Sequence, residues 1–269
     1  MAEEYLVHKI KIISITAVVI LVAVFGFIYL QPAKNTVNNI PSVEYASDPV
    51  PDFNEYERVQ DKKRAFFDYL KPAIASQNEY ISTVRALIIK YQEMHSAGQA
   101  YSQNEQEELD WLINEYRVTN SEELKPVFRE LLRKVDVIPE DLVLVQTANE
   151  SAWGTSRFAR KGYNFFGLWC FEKGCGFVPN RRNEGASHEV AKFDDLTEAM
   201  YSYMRNLNSH PAYKELRAIR LQHRMAQKEV TGHALAEGLS KYSERGEEYI
   251  EELRQMIRVN QSYIASDGV

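Results

Sequence analysis

The stretch Ala148-Asn149-Glu150-Ser151-Ala152-Trp153-Gly154 follows directly on Pro139 to Thr147, which has the composition of a short buried helix. Proline is tolerated in a helix's first turn, and Glu140 and Asp141 suit the positive end of the helix dipole, so the helix is expected to begin near 139. Val143, Thr147 and Glu150 are then expected to share one face, leaving Leu142, Val145 and Ala148 to pack inward on another. Glu150 falls near the C-terminal end, where the dipole disfavours a negative charge. A carboxylate at that end, followed by an aromatic and a glycine turn, has the form of a general acid. Burial among Trp153, Phe158 and Phe165 is expected to raise its pKa and keep it protonated near neutral pH.

Outward from that segment, residues 56–118 and 119–269 both show helical periodicity. Arg58–Leu70, Gln77–Ser96, Gln103–Tyr116 and Pro126–Val135 place apolar residues three and four apart. The period returns at Leu196–Leu207, Ala212–Arg220, Ala234–Leu239 and Glu247–Val259. Between them, Gly162 to Lys192 is rich in glycine, asparagine and aromatics. Gly176-Phe177-Val178-Pro179 and His188 to Phe193 flank a turn at Glu184-Gly185-Ala186-Ser187, which predicts one small β-hairpin. The fold class is therefore mainly α (α+β). No repeat of fixed period supports a solenoid. The helices of 56–118 carry no motif; their amphipathic stripes point to packing on the C-terminal domain, with partner binding or covering of a cleft as alternatives.

The front of the chain differs. Ile12 to Leu30 holds no charged residue and is about long enough to span a bilayer core of roughly 30 Å. His8, Lys9 and Lys11 precede it, so residues 1–11 are expected on the cytoplasmic side. Gln31-Pro32-Ala33-Lys34 lacks a small-x-small cleavage site, which favours an uncleaved transmembrane or signal anchor over residues 12–30. Residues 31–55, with Pro32, Pro41, Pro49 and Pro51, are expected to be a linker. The bulk of the protein is then expected in the periplasm, attached to the inner membrane by a single pass.

Composition limits the partners. The 269-residue chain is 45% hydrophobic and 12% aromatic, enough for a packed core, and carries a net charge of -6. Nucleic acid is disfavoured, because phosphate binding needs clustered Lys and Arg. Cys170 and Cys175 are the only cysteines. In an oxidising compartment they can close a small loop as a disulfide, and without a further Cys or His pair they leave zinc under-coordinated. No metal or cofactor is expected.

Ala-Asn-Glu-Ser-Ala-Trp-Gly, followed by Tyr163-Asn164-Phe165-Phe166-Gly167-Leu168, resembles the N-acetylglucosaminidase domains of the family 73 glycoside hydrolases. Further matches run in order: Ala191-Lys192-Phe193 before a helix with Glu198-Ala199, then His210-Pro211-Ala212-Tyr213, then Tyr242 and Glu248-Tyr249 before the last helix. The resemblance covers roughly 120–265. It implies a lysozyme-like domain that cleaves the β-1,4 bond following N-acetylglucosamine in peptidoglycan strands, with Glu150 as proton donor. It also implies a second acid on the hairpin, which Glu184 beside the turn or Glu189 on the returning strand could supply. If neither acts, the substrate's N-acetyl group can serve as internal nucleophile. Tyr242 matches the family's cleft tyrosine, expected to bind the N-acetyl group or orient water. Trp153, Asn164, Phe166, Trp169 and Tyr249 are the expected substrate-binding residues. His188 and His210 are bases by type alone. Lytic transglycosylation is the rival chemistry, disfavoured because Phe-Gly-Leu-Trp stands where Gly-Leu-Met-Gln is usual. A catalytically silent wall-binding module is the rival of a different class.

Overall fold

The structure, a computed structural model, describes Val37 and residues 39–179 and 188–265. The segment 12–30, expected to be a membrane anchor, lies outside them, and among the described residues no helix is long and apolar enough to cross a membrane.

Nine helices among the described residues build the body: α1 (Val59–Ser96), α2 (Gln103–Glu115), α3 (Leu124–Lys134), α4 (Glu140–Ser151), α5 (Arg157–Gly162), α6 (Leu196–Ser209), α7 (Lys214–Met225), α8 (Gly232–Leu235) and α9 (Glu247–Ile264). The mainly helical class with a small sheet agrees with the sequence reading. At its centre is α4, in which every residue from Leu142 to Ala148 is buried. The expected division into an inner and an outer face gives way to burial all round, because α1, α8 and α9 all pack against α4. A helix apolar on all sides is a core helix.

α1 corrects a second expectation. The periodic segments Arg58–Leu70 and Gln77–Ser96 are one helix of 38 residues that runs through Pro72. Proline removes a backbone donor and costs about 3 kcal/mol in a helix interior. Here Phe66, Phe67, Leu70, Ala73, Ile74, Gln77 and Ile81 continue one buried stripe across the proline, and packing against α3, α4, α6 and α9 outweighs the lost bond.

Residues 39–55, expected to lie within a linker, are docked on the helices. The Tyr163 hydroxyl donates to the carbonyls of Ser47 and Asp48, the Leu196 amide to the Ala46 carbonyl, and the Tyr45 hydroxyl to the Tyr69 carbonyl. Phe53 is fully buried against Phe66 and Tyr69. Burying one such side chain stabilises by roughly 1.5–3 kcal/mol, which a solvated spacer would forgo.

The sheet has three strands in the order β1 (Trp169–Cys170), β3 (Glu189–Ala191), β2 (Gly176–Phe177), all neighbours antiparallel. The expected pairing of 176–179 with 188–193 is present, with Gly176 opposite Ala191 and Phe177 opposite Val190. A second partner was not expected: β1 adds to the other edge of β3, Trp169 opposite Val190 and Cys170 opposite Glu189. The turn containing Glu184 lies outside the described residues.

Candidate active site

The end of α4 is held by its own sequence. Ser151 is fully buried; its hydroxyl donates to the Thr147 carbonyl at 2.5 Å and accepts from the Gly154 amide at 2.8 Å. The Trp153 amide reaches back to the Ala148 carbonyl at 2.8 Å. Ala152, Trp153 and Gly154 all have positive φ (52°, 60° and 76°), so the chain turns sharply away just after Glu150. Glycine is required at 154 for a second reason: a Cβ there would sit 2.4 Å from the Phe53 ring.

Trp153, an expected substrate-binding residue, is not among the residues that line the cleft. Its ring lies against Phe66 and Phe67, with the Lys63 ammonium 5.0 Å from its centre. The left-handed turn at 152–154 carries it onto α1. Phe165 packs with it on Phe66, and Phe158 on Phe177, and neither is among the residues that line the cleft at Glu150.

Glu150 opens instead into a cleft of about 700 Å³, lined also by Phe166, Gly167, Leu168, Trp169, Tyr213 and Tyr242. Burial pushes its carboxyl above the usual value; a hydrogen bond from Tyr249 pulls the other way, while nearby Glu252 raises it and Arg245 lowers it. The Tyr249 hydroxyl donates to Oε1 at 2.8 Å. A chain of buried groups fixes that hydroxyl. Tyr203 donates to the Gln146 side-chain oxygen at 2.5 Å, and the Gln146 amide donates to the Tyr249 oxygen at 3.1 Å. Having accepted from Gln146, Tyr249 points its single proton at Glu150. Tyr249 therefore stands behind the carboxylate, 2% exposed, and not in the cleft surface where a substrate contact was expected.

The other oxygen, Oε2, faces Gly167, where an added Cβ would lie 3.4 Å away. Gly167 has φ 64°, and Asn164 sets the turn that brings it there. The Asn164 Oδ1 accepts from the amides of Phe166 and Leu168, and its Nδ2 donates to the carbonyls of Leu168 and Ala191. Asn164 is 2% exposed with both ends of its amide engaged, so it braces the cleft floor and is not free to bind sugar. Phe166 is likewise a core residue, stacked on Tyr203 at 4.1 Å. Its carbonyl accepts from the Tyr242 hydroxyl at 2.7 Å. Tyr242 lines the cleft and stacks on Tyr249, ring planes 2° apart. Burial, with the neighbouring tyrosines and Glu150, holds its hydroxyl proton on, so it is available for hydrogen bonding and not as a titrating group.

Of the expected binding residues, Phe166 and Trp169 line the cleft, and Trp169 is the exposed one, 54% exposed and against the His188 ring. Next to it Cys170 is bonded to Cys175. Glu189 sits beneath this loop, 5% exposed. Its Oε1 accepts from the Gly174 amide and its Oε2 from the Gly176 amide, at 3.1 and 2.9 Å. Although Glu189 has the same strand parity as Ala191, which lines the cleft, its carboxylate is turned to the loop. The two sulfurs and this carboxylate lie within 4.8 Å of one another, but bonded sulfurs are not thiolate ligands. His210 lines the cleft; burial and the charges of Arg117 and Arg217 push its pKa down, and its Nδ1 accepts from the Ala212 amide.

Sequence reasoning missed Gln146, Tyr203, Arg117 and Arg205. Gln146 had a signal, being the one amide in the buried run Leu142–Ala148 and one turn before Glu150.

Comparison with known proteins adds to this geometry. The glucosaminidase family model, described as mannosyl-glycoprotein endo-beta-N-acetylglucosaminidase, matches residues 125–262. The curated "Protein bax" of Escherichia coli (strain K12) is 35% identical over 221 residues, covering 82% of this chain and 77% of that protein. No solved structure matches. With its motif acid at the end of a buried helix and its sequence related over most of its length, the chain belongs to the glucosaminidase family, as a Bax-type protein.

Proposed function

We propose that the protein hydrolyses the β-1,4 bond that follows N-acetylglucosamine in peptidoglycan strands. The observation that carries this reading is the asymmetric setting of Glu150: Oε1 is held by Tyr249 while Oε2 faces the cleft. A carboxyl raised by burial keeps its proton toward neutral pH, and the proton belongs on the oxygen that accepts no bond from Tyr249. It passes from Oε2 to the glycosidic oxygen as the C1–O bond breaks, leaving the Tyr249 bond to stabilise the carboxylate that forms. Tyr242, its own proton committed to the Phe166 carbonyl, offers an acceptor to the substrate's acetamido N–H.

The developing charge at C1 needs a second group. Glu150 is the only acid among the described cleft residues, and Glu189 has both oxygens on backbone amides. That role falls to Glu184 or to the acetamido oxygen of the substrate, a route in which one protein carboxylate suffices. The same observation favours lytic transglycosylation as a second reading, since a single acid can serve there too. Release of reducing ends from purified sacculi should fall by about 10²–10⁴ in Glu150→Gln. Glu184→Gln separates the protein acid from substrate assistance, and 1,6-anhydro-muramic ends by mass spectrometry would mark the transglycosylase. Sacculi bound without any soluble product would instead identify a silent wall-binding module. The anchor at 12–30 and a periplasmic site belong to this proposal; the Cys170–Cys175 bond supports an oxidising compartment.

A further inference from the structure

The cleft has two unlike walls. β1 and the loop after it present Trp169 and Phe171, 54% and 75% exposed. Opposite in character, α6 and the turn that ends α2 present Arg117, Arg205, Asn206 and His210. The whole chain carries -6, yet the described lining residues include one acid and two arginines, of which Arg205 is paired with Glu115 and Arg117 is not.

The two arginines are held differently. Arg205 is fixed, 3.0 Å from Glu115 and over the Tyr201 ring. Arg117 occupies the position just past α2 with φ 54°, where glycine or asparagine is favoured. Its backbone is secured: its amide donates to the Asn114 carbonyl, its own carbonyl accepts from Lys134, and the Val118 amide closes the turn on Ile113. Among the described residues no carboxylate lies within ion-pair distance of its exposed guanidinium. An unsubstituted N-acetylglucosamine strand offers hydroxyls and amides, which can accept from a guanidinium but leave its charge unmatched. Planar guanidinium forks match carboxylates, with two parallel donors.

We infer that Arg117, supported by Arg205, is a specificity-determining residue that binds a carboxylate on the substituent of the saccharide in the cleft, while the sugar ring lies on the Trp169 and Phe171 wall. This rests on the glycan-cleaving reading above. The carboxylate has two chemical sources: the lactyl group of muramic acid, free when no peptide is attached, and the acidic residues of an attached peptide stem.

Binding is measured by titration calorimetry on the full chain carrying Glu150→Gln, so that turnover does not interfere and failure of the hydrolase reading leaves the measurement intact. The probes are a disaccharide with its acidic peptide, the same disaccharide with a free lactyl carboxylate, and uncharged chitotetraose. Arg117→Glu should lower the ratio of acidic-ligand to chitotetraose affinity about tenfold, the scale of one charge-assisted hydrogen bond, and Arg117→Lys should recover much of it. A ratio lowered for the peptide-bearing probe alone assigns the stem, and one lowered for both acidic probes assigns the lactyl group. The advantage of the acidic probes should shrink with added salt. An unchanged ratio in Arg117→Glu, with the fold intact by melting temperature, overturns the inference. Absence of reducing-end release by the unmodified chain, with the ratio change present, removes the hydrolase reading and leaves the carboxylate site standing.

Discussion

The end of α4 half-buries one glutamate and the loop closed by Cys170–Cys175 buries another, and the two are held in opposite ways. Glu150 receives one hydroxyl on one oxygen and leaves the other toward the cleft. Glu189 receives a backbone amide on each oxygen and lines no part of the cleft. Burial by itself therefore does not make an acid catalytic. An oxygen left without a protein donor, on the open side, is what distinguishes Glu150, the proposed proton donor, from the carboxylate of Glu189.

The largest test of this comparison is a pair of substitutions. Glu150→Gln should lower glycan cleavage by about 10²–10⁴ with the fold retained. Glu189→Gln should lower the melting temperature, by about 1.5–3 kcal/mol in stability, since hydrogen bonds to a charged acceptor are weakened, and should reduce turnover far less. Equal losses of turnover in both would abolish the distinction.

A second test acts on the turn that aims Glu150. Gly154→Ala drives a Cβ into the Phe53 ring at a residue with φ 76°, and should cost about 2–4 kcal/mol in denaturant unfolding. Gly167→Ala meets the Glu150 Oε2 at 3.4 Å and not a fixed ring. Its loss should register more in kcat than in unfolding.

A smaller effect concerns Tyr249. Tyr249→Phe removes the bond that favours the ionised carboxylate, so the Glu150 pKa should rise further and the basic limb of the kcat profile should move to higher pH. A limb that moved down would show that the tyrosine acts on something other than the acid.

The smallest effect is on stability against pH. Burial raises the Glu150 pKa above its unfolded value, so its contribution is present below the unfolded pKa and is lost as pH rises through the folded one. Glu150→Gln lacks that loss. Its melting temperature relative to the unmodified protein should be highest near pH 7, and the margin should narrow as pH falls through the raised folded pKa toward the ordinary carboxylate range.

Much of the site was legible because it is local. The helix end and the Trp153-Gly154 turn lie within a few residues of Glu150, and chain geometry over so short a span follows from residue type; the Ser151 brace became visible only in the structure. The hairpin pairing of 176–179 with 188–193 was legible for the same reason. β1 was not, being two residues long and defined only by its partner β3. The run through Pro72 and the docking of 39–55 were hidden because each reflects packing outweighing a local preference.

The sequence by itself determined that one carboxylate stands at the end of an apolar helix, in a mainly helical protein with one small sheet. Only the tertiary structure decided what surrounds it. Tyr249 is 99 residues from Glu150 along the chain, Tyr203 and Gln146 are 57 apart, and the Phe53 ring that fits over Gly154 comes from a segment that reads as a linker. Such contacts depend on which helices pack together, and that is a property of the whole core and not of any stretch of it.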